Sequence, residues 1–357
     1  MRRFFLATCN LHNRAIEMTK QVAFLFPGQG SQVVGMGADV YEASEAARRV
    51  FRAFDETLGF PLSEICFHGP EDTLRSTINA QPAIVAVSLA YLAAFQESLS
   101  PHDSFWSSPL VPSYTAGHSV GEATALVPAG VADLKDVASL VRERGRLMHE
   151  AETACPGEMA AIIGMEEETL QEICREATQQ TKATLGTTTQ VGEGEVMIAN
   201  YNAPGQIVIS GDLHALKVAT TLAKARGATR VIPLSVSGAF HSPIMASATD
   251  KLAHFIANTD IHDATIPIIS NITATPLTQS TALCNELAQQ LAAPVQWVHT
   301  IEYLTSVGIT TFFEIGPGRA LASMIKRITR SAKIINIGST AEVEKAAAFV
   351  QETELLQ

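Results

Sequence analysis

Cysteine is scarce in this 357-residue chain, and the five present (Cys9, Cys66, Cys155, Cys174, Cys284) include no CxxC pair. That spacing argues against a zinc site or a disulfide framework and suits a reducing compartment. Positive charge is also short: 25 Lys and Arg stand against 36 Asp and Glu, for a formal net charge of -11. Such a balance argues against general nucleic-acid binding. No apolar run is expected to reach the length of a membrane span, and the runs rich in alanine and valine read as core helices. A nucleotide loop is missing too. The turn "PGQGSQ" lacks a Walker lysine, and Val33 occupies the third glycine position of GxGxxG.

The residues that are present describe a folded α/β protein. At 46% hydrophobic and 17% charged, the chain can bury a large core. Its length suits one large domain or two smaller ones. Residues 1–20, "MRRFFLATCNLHNRAIEMTK", carry Arg2, Arg3 and Arg14 with no acid before Glu17. This pattern fits a transit peptide for the mitochondrial or another organelle matrix; a short leader, or a start at Met18 on a cytoplasmic protein, is the alternative.

Strands and helices alternate along the remainder. Val22 to Phe26 reads as a strand that breaks at Pro27-Gly28. "TLRSTINAQPAIVAVSLAYLAAFQESL" reads as a helix buried on most sides, with Pro82 in its first turn. "LSPHDSFWSSPLVPS" is expected to be a surface connection, and residues 133–151 a helix capped by Asp133. From 153 to 230 the order becomes βαββαβ, the pattern of a ferredoxin-like unit, with a polar loop in "TKATLGTTTQVGEGE". Strands and helices resume on its far side. The expected architecture is a mainly parallel, doubly covered sheet in residues 21–152 and 231–357, interrupted by the small subdomain.

The chemistry centres on "YTAGHSVGEATALV", residues 114–127. One reading is a plain strand-to-helix turn. The other is a nucleophile elbow, with Gly117 and Gly121 allowing a tight turn that presents Ser119. A serine hydroxyl needs a base to take its proton. His118 adjoins it, but a neighbour on a tight turn points elsewhere. His241, in "SVSGAFHSPIM", is the better base if it sits at the edge of a parallel strand, with Ser242 capping and Pro243 opening the next helix. A loop histidine satisfied by backbone groups is an equal reading of that position. Arg144 falls seven residues after Val137 on the apolar face of its helix. A guanidinium there needs a carboxylate; position alone favours a structural salt bridge over a clamp for an anionic substrate. Oxyanion donors could come from the Val120 amide and from the turn holding Gly28 and Gly30, each worth roughly a hundredfold in rate.

Taken together, "FPGQGSQ", "AQPAI", "GHSVGE", "RGRLM", "NAPGQIVISG", "GAFHSP", "PVQW" and "EIGPG" resemble the malonyl-CoA:acyl carrier protein transacylases, whose relatives are acyltransferase domains of fatty acid and polyketide synthases. The likeness spans residues 20–330. It implies an α/β-hydrolase-like large domain with a ferredoxin-like insert. It also implies Ser119 as the acylated nucleophile, His241 as its base and acid, and Arg144 as the clamp for a malonyl carboxylate. Gln29 and Val120 would supply oxyanion-hole amides, and the backbone carbonyl of Gln290 would orient the histidine. Gln81 and His118 would line the site, with Asn200 and Asn202 beside the cleft. The implied partners are malonyl-CoA and acyl carrier protein, with no metal or redox cofactor, no nucleic acid, no membrane and a monomeric enzyme. "AFHS" resembles malonyl-selecting members. The leader, the insertion near 180–195 and the Ser/Pro-rich stretch depart from the pattern without touching a chemical residue. Two other readings carry the same serine: an esterase or thioesterase, which would need no buried cation, and a silent scaffold for carrier protein.

Overall fold

The computed structural model describes residues 21–100, 109–186, 190–236, 238–353 and 355. The leader at 1–20 lies outside the described residues, as do parts of the Ser/Pro-rich connection and of the polar loop.

Two sheets organise the chain. The larger comprises β1 (Val22–Phe26), β2 (Tyr114–Gly117), β7 (Ile268–Ile269), β8 (Pro276–Leu277), β9 (Thr311–Ile315) and β10 (Lys333–Ile337), in the order β10-β9-β1-β2-β7-β8. All its pairings are parallel except the short β7–β8 hairpin. The central strand β1 is buried along its whole length. An unbroken "VAFLF" rather than an alternating pattern is what a parallel strand covered on both faces requires.

The smaller sheet comprises β3 (Gly157–Ile163), β4 (Val196–Ala203), β5 (Gln206–Asp212) and β6 (Arg230–Pro233). Its antiparallel order β4-β5-β3-β6, with helices Glu167–Leu185 and Leu213–Ala225 as crossovers, is the expected ferredoxin-like unit. It has its own core, where Leu170, Ile173 and Ala177 meet Ile162, Ile198 and Ile209. An isolated bridge from Asn200 to Val295 stitches β4 to the large domain, with Tyr201 N donating to Val295 O at 2.9 Å and Val295 N to Ala199 O at 2.8 Å. That seam brings the small sheet to the segment carrying Gln290.

Several expectations are corrected. The helix Thr77–Leu99 is long and apolar enough to cross a membrane by length and composition, yet 89% of that apolar window is buried inside the fold. It packs on helices Glu45–Leu58 and Leu134–Ala154 instead. Pro82 stands inside it rather than in its first turn. Proline cannot donate to the carbonyl four residues back. Here Ile78 O accepts from Arg142 Nη1 at 2.8 Å, so the freed acceptor is satisfied from the neighbouring helix. Residues 181–185 continue their helix rather than opening the polar loop. Thr181 Oγ1 bonds back to Ala177 O, and Lys182 pairs with Glu195. Asp133 caps the Leu134–Ala154 helix as expected, accepting from the amides of Lys135 and Asp136. Strand β10 and the final helix Thr340–Glu352 were not anticipated. The buried carboxyl of Glu314 ties β10 to the helix Ala320–Ile328, accepting from the Asn336 side chain and the amides of Leu321 and Ala322.

Candidate functional site

The elbow is built by close approach of backbone. A Cβ at Gly117 would stand 1.9 Å from the carbonyl carbon of Gly121, so strand and helix can cross there only without a side chain. Ser119, at the apex just beyond the C-terminal end of β2, has φ 53°. A non-glycine residue in that region carries roughly 1–3 kcal/mol of strain that its surroundings must hold. Asn271 does so. Its Oδ1 accepts from Ser119 N at 2.7 Å and its Nδ2 donates to Gly117 O at 2.7 Å.

His241 meets the serine, with Nε2 2.8 Å from Ser119 Oγ. It does not come from the edge of a parallel strand, as expected. The preceding strand, β6, belongs to the antiparallel sheet, and the chain returns from it across the interface. His241 is then pinned by its own amide, which donates to Leu291 O at 2.9 Å, and by a strained φ of 57°. Ser242 does not cap a helix with its side chain; its Oγ donates to Ala239 O, and Pro243 opens a short 3-10 turn. Imidazole Nδ1 lies 2.9 Å from Gln290 O and 3.1 Å from Ala293 O. Carbonyls only accept, so the proton sits on Nδ1 and Nε2 faces Ser119 with a lone pair. Burial, reinforced by Arg144, pushes this histidine down to about 3, so it is neutral at pH 7.

Arg144 is 3% exposed. Among the described residues no carboxylate lies within salt-bridge distance of its guanidinium, so the structural salt bridge favoured by position alone is ruled out. Its Nη1 donates to Gln81 Oε1 at 2.7 Å, and its Nη2 to Gln290 Oε1 at 2.8 Å and Ser119 Oγ at 3.3 Å. Burial lowers it to about 10, still charged at pH 7. A desolvated cation lies beside a serine that is also hydrogen-bonded to a neutral imidazole.

The remaining expected residues fall into place around this trio. Among the described residues, the backbone amides of Gln29 and Val120 donate to no protein acceptor. The turn bearing Gln29 lies against the elbow: a Cβ at Gly28 would be 2.5 Å from His118 O. Gln29 itself is anchored through Nε2 to Thr77 Oγ1. His118 points away from the serine, as its place on the turn requires, and Nε2 donates to Asn202 Oδ1 at 2.8 Å. Asn200 is buried on β4 at the bridge to Val295 and reaches none of the reacting groups by hydrogen bond. Reasoning from sequence missed Asn271, Glu122 and Glu286, all buried behind the elbow. Asn271 follows β7 at its C-terminal edge, where parallel sheets gather their functional groups, and that position was the available signal.

A serine on a strained strand-to-helix turn, met by a tautomer-fixed histidine and two free amides, is the arrangement of a serine-based acyl-transfer enzyme. The acyl transferase domain family matches residues 23–350. The chain belongs to that family, and within it to the malonyl-CoA:acyl carrier protein transacylases that its motifs resemble. It is 42% identical over 332 residues to the malonyl CoA-acyl carrier protein transacylase of Bacillus subtilis, covering 93% of this chain and 98% of that protein. Among solved structures, the acyl-carrier-protein S-malonyltransferase of Bartonella henselae superposes with a TM-score of 0.83 at 36% identity, covering 93% of this chain and 99% of that one. A malonyl-transacylase in complex with a type II PKS acyl-carrier protein superposes equally well, at 0.83 and 35% identity, over 92% of this chain and 99% of that one.

Proposed function

We propose that this enzyme transfers the malonyl group from malonyl-CoA to the phosphopantetheine thiol of acyl carrier protein, through a malonyl ester on Ser119, supplying fatty acid synthesis. One observation carries the substrate class: Arg144, buried and without a carboxylate partner, reaches within 3.3 Å of Ser119 Oγ. A cation in that position fits an acyl group ending in a carboxylate, and a hydrolase of neutral esters would have no use for it.

The reaction proceeds by two attacks on one carbonyl. His241 Nε2 takes the Ser119 proton as Oγ attacks the thioester, and the Gln29 and Val120 amides receive the oxyanion. The tetrahedral intermediate collapses; the carbon–sulfur bond breaks and coenzyme A leaves as the thiol with the proton from His241. The carrier thiol then gives its proton to His241 and attacks the ester, and Ser119 recovers its hydrogen. All three side chains come from one chain, so no second copy is needed.

Intact-mass analysis after exposure to malonyl-, methylmalonyl- and acetyl-CoA tests this reading. A malonyl adduct on Ser119 that transfers to carrier protein is the expected result. An enzyme that stays unmodified, or that takes acetyl in preference to malonyl, would contradict it.

The depressed histidine makes a second prediction. Because the fold holds this imidazole neutral, its stabilising contribution is complete above the ordinary histidine range near 6.5 and is lost as pH falls toward about 3. The acid limb of kcat/KM for malonyl-CoA, which reports the free enzyme, is therefore expected below about pH 5. A limb centred near 6.5 in stopped-flow acylation would show an imidazole titrating normally.

A further inference from the structure

Behind the elbow, Gln290 does more than offer its backbone carbonyl to His241. Its side-chain amide is held at both ends. Oε1 accepts from Arg144 Nη2 at 2.8 Å, while Nε2 donates to Ser119 O at 3.2 Å and to the Glu122 carboxylate. The other oxygen of Glu122 accepts from Asn271 N at 3.1 Å, and Glu122 is 1% exposed. Glu286, on the neighbouring helix Ser280–Gln289, sets a second buried carboxyl against Glu122 and is itself held by Ser270 Oγ and the Ile272 amide.

An amide can be read in two orientations, and only one suits Arg144. Turned over, Gln290 would set its NH2 against the guanidinium, donor against donor. The Glu122 carboxyl, with Ser119 O, accepts from Nε2 and fixes the useful orientation. Burial and the neighbouring Glu286 raise Glu122 well above the usual carboxylate range, so it acts on Arg144 through this hydrogen-bonded relay and leaves the guanidinium un-neutralised. A carboxylate in direct contact would fill the position that an incoming acid needs.

We propose that Glu122 is a positioning residue for dicarboxylic acyl selection: through the Gln290 side chain it holds Arg144 in place, charged and open to the substrate carboxylate. This deepens the malonyl-transfer reading and rests on it. Glu122 touches neither substrate nor the reacting atoms.

The test is Glu122→Gln, measured as kcat/KM for malonyl-CoA against acetyl-CoA, with thermal melting as the check on folding. Two N–H groups converge on Glu122, and a carboxamide offers only one oxygen to them. The malonyl-to-acetyl ratio is expected to fall about tenfold or more, the size of one charge-assisted hydrogen bond, with the loss in KM for malonyl-CoA. Equal losses on both donors would mean that Glu122 merely supports the elbow through Asn271, and that result, like an unchanged ratio, overturns the proposal. If Glu122→Gln does not fold, Gln290→Met, which keeps the carbonyl for His241 and removes the amide, decides by the same ratio. Wild-type enzyme that forms no malonyl adduct would refute the function itself; wild type that selects malonyl while both variants keep its ratio would refute only this inference.

Discussion

With His241 replaced by alanine, acylation of Ser119 by malonyl-CoA is expected to slow by about 10³–10⁴-fold, and with Ser119→Ala no adduct should form at all. The first figure follows from geometry. The imidazole is held by two backbone carbonyls on Nδ1, so the tautomer that accepts the serine proton is already in place and requires no rearrangement. Among the described residues no acidic side chain shares that role; the carbonyls of Gln290 and Ala293 fix orientation without adding a charge. Removing the ring leaves the Gln29 and Val120 amides and Arg144 intact, so residual acylation above background is expected. Single-turnover mass spectrometry separates the cases. Loss of less than tenfold in His241→Ala would mean that another group takes the proton, and His118, bonded to Asn202, would be the first to test.

Much of this site could be read from local sequence because local backbone rules build it. The elbow is a property of residues 117–121, where two glycines flank a serine, and the unbroken apolar run of β1 announces a strand covered on both sides. Asp133 lies one residue before its helix and caps it. Arg144 stood out through periodicity alone, since a charge on an apolar face needs a reason.

What escaped the sequence reading depends on contacts between distant segments. Asn271 steadies Ser119 across 152 positions, and Gln290 reaches Glu122 across 168. No spacing rule encodes such pairs. The carbonyl left by Pro82 is satisfied by Arg142 from another helix, which is why the proline sits deeper in its helix than its chemistry alone predicts. The origin of His241 was misjudged in one respect. The strand before it reads as the last of the βαββαβ unit, and its antiparallel pairing with β3 agrees, so His241 follows the small sheet and not the edge of a parallel strand. Strand β10 was missed although "KIINI" is apolar enough, because its place is set by parallel pairing with β9, a contact that no local pattern announces.

Arg144→Ala is expected to reduce kcat/KM for malonyl-CoA by about a hundred- to a thousandfold, the cost of leaving one buried charge of a pair unmatched. Transfer of acetyl from acetyl-CoA, whose acyl group carries no carboxylate, should fall far less. Arg144→Lys should not restore malonyl transfer fully, because an ammonium cannot donate in a two-pronged plane while also holding Gln81 and Gln290. The substitution carries a second signature. Arg144 is the second cause, after burial, of the low His241 value, so its removal should move the acid limb of acetyl transfer upward in pH. The same logic applies when a malonyl carboxylate binds: it offsets the guanidinium and makes His241 a stronger base with the substrate present than without it. Selection and activation would then be two consequences of one contact. Measuring both donors over pH in wild type and Arg144→Ala separates them: matched losses for malonyl and acetyl would remove the clamp, and an unmoved acid limb would remove the electrostatic link to His241.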